Sequence, residues 1–173
     1  MRRHIRNYIH RHEPRAHHHH HLKSGLGAVI AMLIVGALTV ETGLPLLIAP
    51  FGATAVLLFA QPKSPLAQPA NVIGGYVIAS LAVFLFAILL PDMWWTAAIG
   101  VGCAIAGMSL LRLTHPPAGA IPLVAYGSHQ TASTIFIVVV VGGTLLVALA
   151  VIHHFIPPKT QYPLPAPVPS DQP

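Results

Sequence analysis

LTHPPAGA, residues 113–120, sets a histidine, two consecutive prolines and a glycine into an otherwise apolar chain. Just before it, 19 residues without a formal charge separate Asp92 from Arg112. A helix needs roughly 20 mainly apolar residues to cross the hydrocarbon layer, so this run predicts a membrane crossing. The proline pair that follows marks the start of an interrupted element rather than a continuation.

The rest of the chain extends that reading outward. Of 173 residues, 54% are hydrophobic and only 8% charged, with a mean hydropathy of +0.70; a water-soluble domain carries about 25% charge. Between residues 22 and 156 the formal charges are Lys23, Glu41, Lys63, Asp92 and Arg112, and the last four are separated by 21, 28 and 19 uncharged residues. The expected fold is therefore all-α, a polytopic transmembrane helical protein. The net charge of +5 and pI near 9.9 come mainly from the first 23 positions. That placement favours an anionic lipid surface over nucleic acid. The single cysteine, Cys103, excludes an intrachain disulfide and is read as a small buried side chain.

Three regions follow. Residues 1–21 are basic and histidine-rich, have no clear cleavage site, and read as a cytoplasmic tail. Residues 22–156 form the membrane domain, and residues 157–173, with seven prolines, form an extended or disordered tail. Within the domain, crossings are expected over 22–40, 72–90, 94–111 and 131–152. Gly43 and Pro45 end the first; Pro91 and Asp92 turn between the second and third. Trp94 and Trp95 suit a membrane interface or a packing role. Two shorter stretches, LLIAPFGATAVLLFA and the one opened by Pro116 and Pro117, are interrupted.

The interruptions echo each other. PFGA at residues 50–53 and PAGA at 117–120 lie 67 apart, and Gly74-Gly75 and Gly142-Gly143 lie 68 apart. The implied unit, a long helix, a short broken one and a long helix, occurs twice, over 22–90 and 91–156. If the short stretches cross, there are six traversals. The amino terminus, Lys63, Arg112 and Lys159 then lie inside and Glu41 and Asp92 outside, as the positive-inside rule requires. If they dip and return, there are four, and Lys63 and Arg112 face outside.

Pro50 and Pro117 suit a first helical turn, where the missing amide hydrogen has no intrahelical partner. Gly52 and Gly119, with Ala53 and Ala120 beside them, leave room for a ligand or another helix to approach the backbone. Helix starts in a low-dielectric region favour an anion without a fixed charge; close packing of small residues explains the same motifs structurally. Thr54 lies one turn into the first short helix. Thr114 is the expected cap of the second, and His115 donates to an anion or satisfies backbone freed by Pro116 and Pro117. Ser64, Gln68 and Asn71 are candidates for an entrance, with Gly74 and Gly75 for packing or a hinge. The run His17, His18, His19, His20 and His21 has no ordered ligand spacing that selects a metal, so no metal site is assigned. No phosphate loop, dinucleotide fingerprint or paired acids are present, and the chain reads as neither an enzyme nor a cofactor protein.

Together, APFGATAVLLF, SPLAQPANVIGG and LTHPPAGA resemble the HPP family of integral membrane proteins, whose motif is matched by His115, Pro116 and Pro117. The likeness covers residues 22–155. It implies a small membrane protein, commonly with four predicted helices, and nitrite as the substrate associated with plastid and cyanobacterial relatives. By resemblance the motif positions are His115, Pro116, Pro117, Gly119 and Ala120, with Pro50, Gly52 and Ala53 in the earlier one. Tyr76 stands where a histidine is expected in many relatives. Some bacterial relatives carry CBS regulatory domains; this sequence contains none. The expected function is transport of a small inorganic anion, most directly nitrite, across a bacterial inner membrane; the alternatives are a non-transporting structural or interaction membrane protein, or a transporter or channel for another small solute. The partners are the lipid bilayer and a second copy in a homodimer or higher homo-oligomer.

Overall fold

The structure is a computed structural model that describes residues 10, 18–128 and 130–166. Most of the expected amino-terminal tail, including His17, and residues 167–173 lie outside the described residues. Among the described residues, six α-helices form an all-α bundle: α1 His18–Thr42, α2 Ala49–Ala55, α3 Pro69–Leu89, α4 Trp94–Leu110, α5 Ile121–Ser128 and α6 Ala132–Phe155. Two of these are the helical parts of the broken elements. α2 runs directly into a π-helical turn, Val56–Ala60, and α5 is preceded by a 3-10 turn, Pro116–Ala120.

Local chemistry sets the boundaries. α1 begins within the histidine run rather than after it, and ends where Gly43 adopts φ 69° and donates its amide to the Thr39 carbonyl at 3.1 Å, a left-handed cap that glycine adopts without a Cβ penalty. α3 opens on Pro69 in its first turn. α4 ends in a Schellman arrangement: the Arg112 amide reaches the Ser109 carbonyl at 3.2 Å and the Leu113 amide reaches Met108 at 2.8 Å. Arg112 occupies the left-handed position with φ 57°, where glycine is usual.

α1, α3 and α6 are long and apolar enough to cross a membrane, while α4 and the stretch Ala49–Ala60 are shorter apolar helices. α3 packs against α4 and α6 and is the central helix of the bundle. The core gathers Val35, Phe51, Leu58, Tyr76, Met108, Ile121 and Leu146, all essentially inaccessible. Large apolar side chains point outward instead of being confined to the core: Val40 is 81% exposed, Ile88 80% and Leu110 83%. Such a surface belongs in lipid, not water. Cys103 also faces outward, contrary to the expected burial, because α4 presents it on the bundle's apolar exterior.

The two ends of the bundle are chemically distinct. The start of α1, the end of the π-helical turn and the end of α6 surround one cavity with Lys23, Lys63 and Lys159 on its walls. The end of α3, the start of α4, α5 and the start of α6 surround another, which includes Asp92. Followed through these ends, the chain makes six passes in alternating directions, the two broken elements included. The expected proline-rich tail is extended as far as it is described, and it is docked: Tyr162 is 5% exposed and donates its hydroxyl to the Ala67 carbonyl at 2.9 Å.

Candidate functional site

The two broken elements meet at the centre of the bundle. In α2, Pro50 lies in the first turn, and Thr54, one turn later, shares its buried face with Phe51 and Ala55. Gly52 and Ala53 point away and are exposed. A Cβ on Gly52 would meet nothing within 4 Å, and one on Gly119 would meet only Ile105 Cγ1 at 3.8 Å. Gly52 therefore faces open space, and Gly119 would keep an ordinary van der Waals contact with α4 if it carried a side chain, so neither position requires glycine for packing.

His115 is the N-cap residue of the second broken element, with extended backbone (φ −133°, ψ 99°) and no side-chain cap bond. Thr114, expected to cap, does not; its carbonyl instead accepts from Asn71 Nδ2 at 3.0 Å. The extended backbone at residue 115 is the conformation imposed on a residue before proline. It carries the imidazole inward, where it is completely buried.

There Thr54, Tyr76 and His115, each 0% exposed, form one hydrogen-bonded chain. Thr54 Oγ1 lies 2.6 Å from the Tyr76 hydroxyl and 2.9 Å from His115 Nε2, and His115 Nδ1 lies 2.9 Å from the Leu66 carbonyl oxygen. A carbonyl can only accept, so Nδ1 carries a hydrogen. In the neutral ring Nε2 then accepts from the Thr54 hydroxyl, and Thr54 accepts from Tyr76. The order is Tyr76 to Thr54 to His115 to Leu66. Protonation of His115 would reverse it, because Nε2 would become a donor. Tyr76 also sets its ring against His115 at 5.2 Å and against Phe51 at 5.5 Å, both edge-on.

The glycine pairs make this convergence possible. A Cβ on Gly75 would lie 2.7 Å from His115 Cβ, and one on Gly74 2.8 Å from Leu113 Cδ1. On α6, Gly142 faces the Phe51 ring and a Cβ on Gly143 would lie 2.9 Å from Tyr76 Cδ2. The glycines of α3 thus receive the chain that leads into the second broken element; on α6, Gly142 receives the first through Phe51, and Gly143 receives Tyr76 of α3.

Ser64, Gln68 and Asn71 were expected at an entrance, and their polar atoms chiefly hold backbone. Ser64 Oγ accepts from the Leu66 amide at 3.2 Å, which fixes the turn that presents the Leu66 carbonyl to His115. Gln68 Nε2 donates to the Pro62 and Ser64 carbonyls, both at 2.9 Å. Of the three, Ser64 lines the basic cavity. Tyr76 is the site residue that motif reasoning passed over, and its signal was its departure from the histidine expected after VIGG.

Cavities lie on either side of the Thr54–Tyr76–His115 chain. That at the basic end is about 820 Å³ and that at the other end about 300 Å³. Along α3, Tyr76 sits seven residues before Val83, a wall residue of the smaller cavity, or about 10 Å at 1.5 Å per residue. Neither cavity has a member of the chain among its lining residues. The polar chain and Phe51 form a buried layer between them.

Residues 13–163 match the family described as HPP, transmembrane region. This chain belongs to the HPP family. Two transmembrane proteins of Dictyostelium discoideum are each 31% identical to it, over 151 and 153 residues; the matches cover 83% of this chain and 49% and 53% of those relatives. The chain spans about half the length of the curated relatives it matches. No solved structure matches it. The residues that carry the family motif, His115, Pro116 and Pro117, supply the buried imidazole and the turn that aims it.

Proposed function

We propose that this HPP protein moves a small inorganic anion, nitrite first among them, through the bundle by way of the Thr54–Tyr76–His115 layer. The observation that carries the reading is the convergence of three fully buried side chains from three elements in an apolar core. An anion accepts hydrogen bonds only. Tyr76 and Thr54 offer O–H donors, neither with a fixed charge, and His115, whose Nδ1–H is held by the Leu66 carbonyl, orients the Thr54 hydroxyl through Nε2. In a low-dielectric layer neutral donors stabilise an anion without holding it as an ammonium would. Passage requires the Thr54–His115 bond to open so that these donors turn toward the ion.

The lysine-lined cavity supports the same reading as the mouth that concentrates anions. With Lys23, Lys63 and Lys159 at one end and Asp92 at the other, the positive-inside rule favours a cytoplasmic basic end, and with it both termini. The six alternating segments, with a broken element against a glycine pair in each half, favour two inverted repeats that place the site at their interface. Because every donor in the layer is paired, a second reading, a purely structural clamp, has its own support. Flux separates the two. Sealed vesicles containing the purified protein should take up nitrite faster than empty vesicles, and His115→Ala, inserted at equal level, should weaken that uptake. Equal uptake by wild type and variant would leave the layer a clamp.

A further inference from the structure

The cavity at the basic end holds features that the central layer does not use. Its walls carry the ammonium groups of Lys23, Lys63 and Lys159 and no carboxylate. Lys23 Nζ donates to the Ile156 carbonyl at 2.6 Å and the Pro158 carbonyl at 2.8 Å, which uses two of its three N–H groups. Among the described residues no acceptor is present for the third. Lys23 is half-buried and Lys63 and Lys159 are exposed; three cations around one cavity, without an anionic partner among the described residues, favour a bound anion.

A second, independent observation lies on the same wall. His154 is 4% exposed, and its Nε2 lies 2.8 Å from the Leu58 carbonyl, a group of the π-helical turn. A carbonyl accepts, so Nε2 carries the hydrogen and Nδ1 is the bare nitrogen of the neutral ring. Nδ1 is buried and has no hydrogen-bond partner among the described residues. A buried polar atom left unpaired loses the hydrogen bond it would make in water and gains none in return. The site gains a donor if Nδ1 takes a proton, and it can hold that charge if an anion arrives with it.

We infer that this cavity is an anion vestibule in which a small oxyanion and a proton bind together, the oxyanion among the lysines and the proton on His154 Nδ1. The ligand class rests on the transport reading above; the site and its proton linkage rest on the cavity. The proton comes from solvent, and no bond other than N–H is made. The titratable and charged groups around His154 are His153 on α6, Lys23, His20 and His21 on α1, and Lys159 and Tyr162 on the segment after α6; the π-helical turn contributes none. All of the side chains carrying fixed charge are cationic, so an arriving anion lowers the cost of charging His154.

Calorimetric titration of the full chain in nanodiscs tests this, with nitrate as the probe because it stays an anion throughout. Nitrate should bind about fivefold or more tightly near about pH 5.5 than near about pH 7.5. Two buffers of different ionisation enthalpy should report proton uptake on binding. His154→Gln should bind nitrate with little pH dependence and less uptake, and Lys159→Gln should weaken binding at both pH values while uptake persists. Absence of saturable binding by folded wild type, binding without proton uptake, or uptake unchanged in His154→Gln would overturn the proposal. Wild-type uptake alone decides it if the histidine variant does not fold. Equal affinity in phosphatidylcholine and phosphatidylglycerol discs supports a free oxyanion, and loss of nitrate binding in the latter assigns the site to a lipid headgroup and overturns it. Flux without linked binding would refute the vestibule alone; linked binding without flux would refute the transport reading alone.

Discussion

Thr54 is the residue through which the central layer is joined, because its single hydroxyl both accepts from Tyr76 and donates to His115. Thr54→Val keeps the shape and removes both bonds, leaving two buried polar groups unpaired. It should cost about 1–3 kcal/mol of stability. Tyr76→Phe removes one donor and leaves the Thr54–His115 bond intact, so its cost should be smaller, about 0.5–1.5 kcal/mol. Unfolding of both variants in one detergent checks the order; a larger loss for Tyr76→Phe would contradict the assigned directions. Outside the membrane-spanning helices, burial pushes the Tyr162 phenol above its ordinary pKa. The folded state therefore prefers the protonated form, and docking contributes fully below the ordinary tyrosine value of about 10 and weakens as pH rises beyond it. Proteolysis of the segment after α6 across that range reads this directly.

At the scale of the elements, the glycines separate into two kinds. A Cβ at Gly75 or Gly142 would strike His115 or Phe51, whereas one at Gly52 meets nothing. Gly75→Ala and Gly142→Ala should each destabilise by about 1–3 kcal/mol, and Gly52→Ala should stay within about 0.5 kcal/mol. Arg112→Gly should stabilise the end of α4 by about 1 kcal/mol, because the left-handed conformation there costs a residue with a Cβ about that much. Thermal unfolding checks all four. The sequence made the helices and their breaks legible, since charges bracket the apolar runs and prolines mark the short starts. It did not reveal which glycines matter. PFGA and PAGA drew attention through repetition, yet Gly52 faces open space and Gly119 only an ordinary contact, while the close approaches at the site fall on the GG pairs. Hydropathy carries no record of which face of a short helix turns inward, so Tyr76 remained a mismatch to a motif until α3 placed it against Thr54. The expected Thr114 cap failed because the residue before Pro116 is the one forced into extended backbone.

For the whole molecule, direction through the bilayer is the first question. Six alternating segments put Lys63 and Gln130 at opposite ends of the bundle, since each lines the cavity at its own end. Four crossings with re-entrant stretches put them on one side. In a Cys103→Ser background, Lys63→Cys and Gln130→Cys should react with a membrane-impermeant thiol reagent from opposite faces of sealed vesicles. Reaction from the same face would contradict the six-segment fold. The central claim, that the buried polar layer is part of an anion path, is tested most directly by nitrite flux through purified protein in sealed vesicles, wild type beside His115→Ala, with chloride and nitrate as controls. Protein-dependent nitrite flux that falls in the variant at equal insertion is the predicted result. No flux of any anion from correctly inserted wild type, or flux unchanged by His115→Ala, would contradict it.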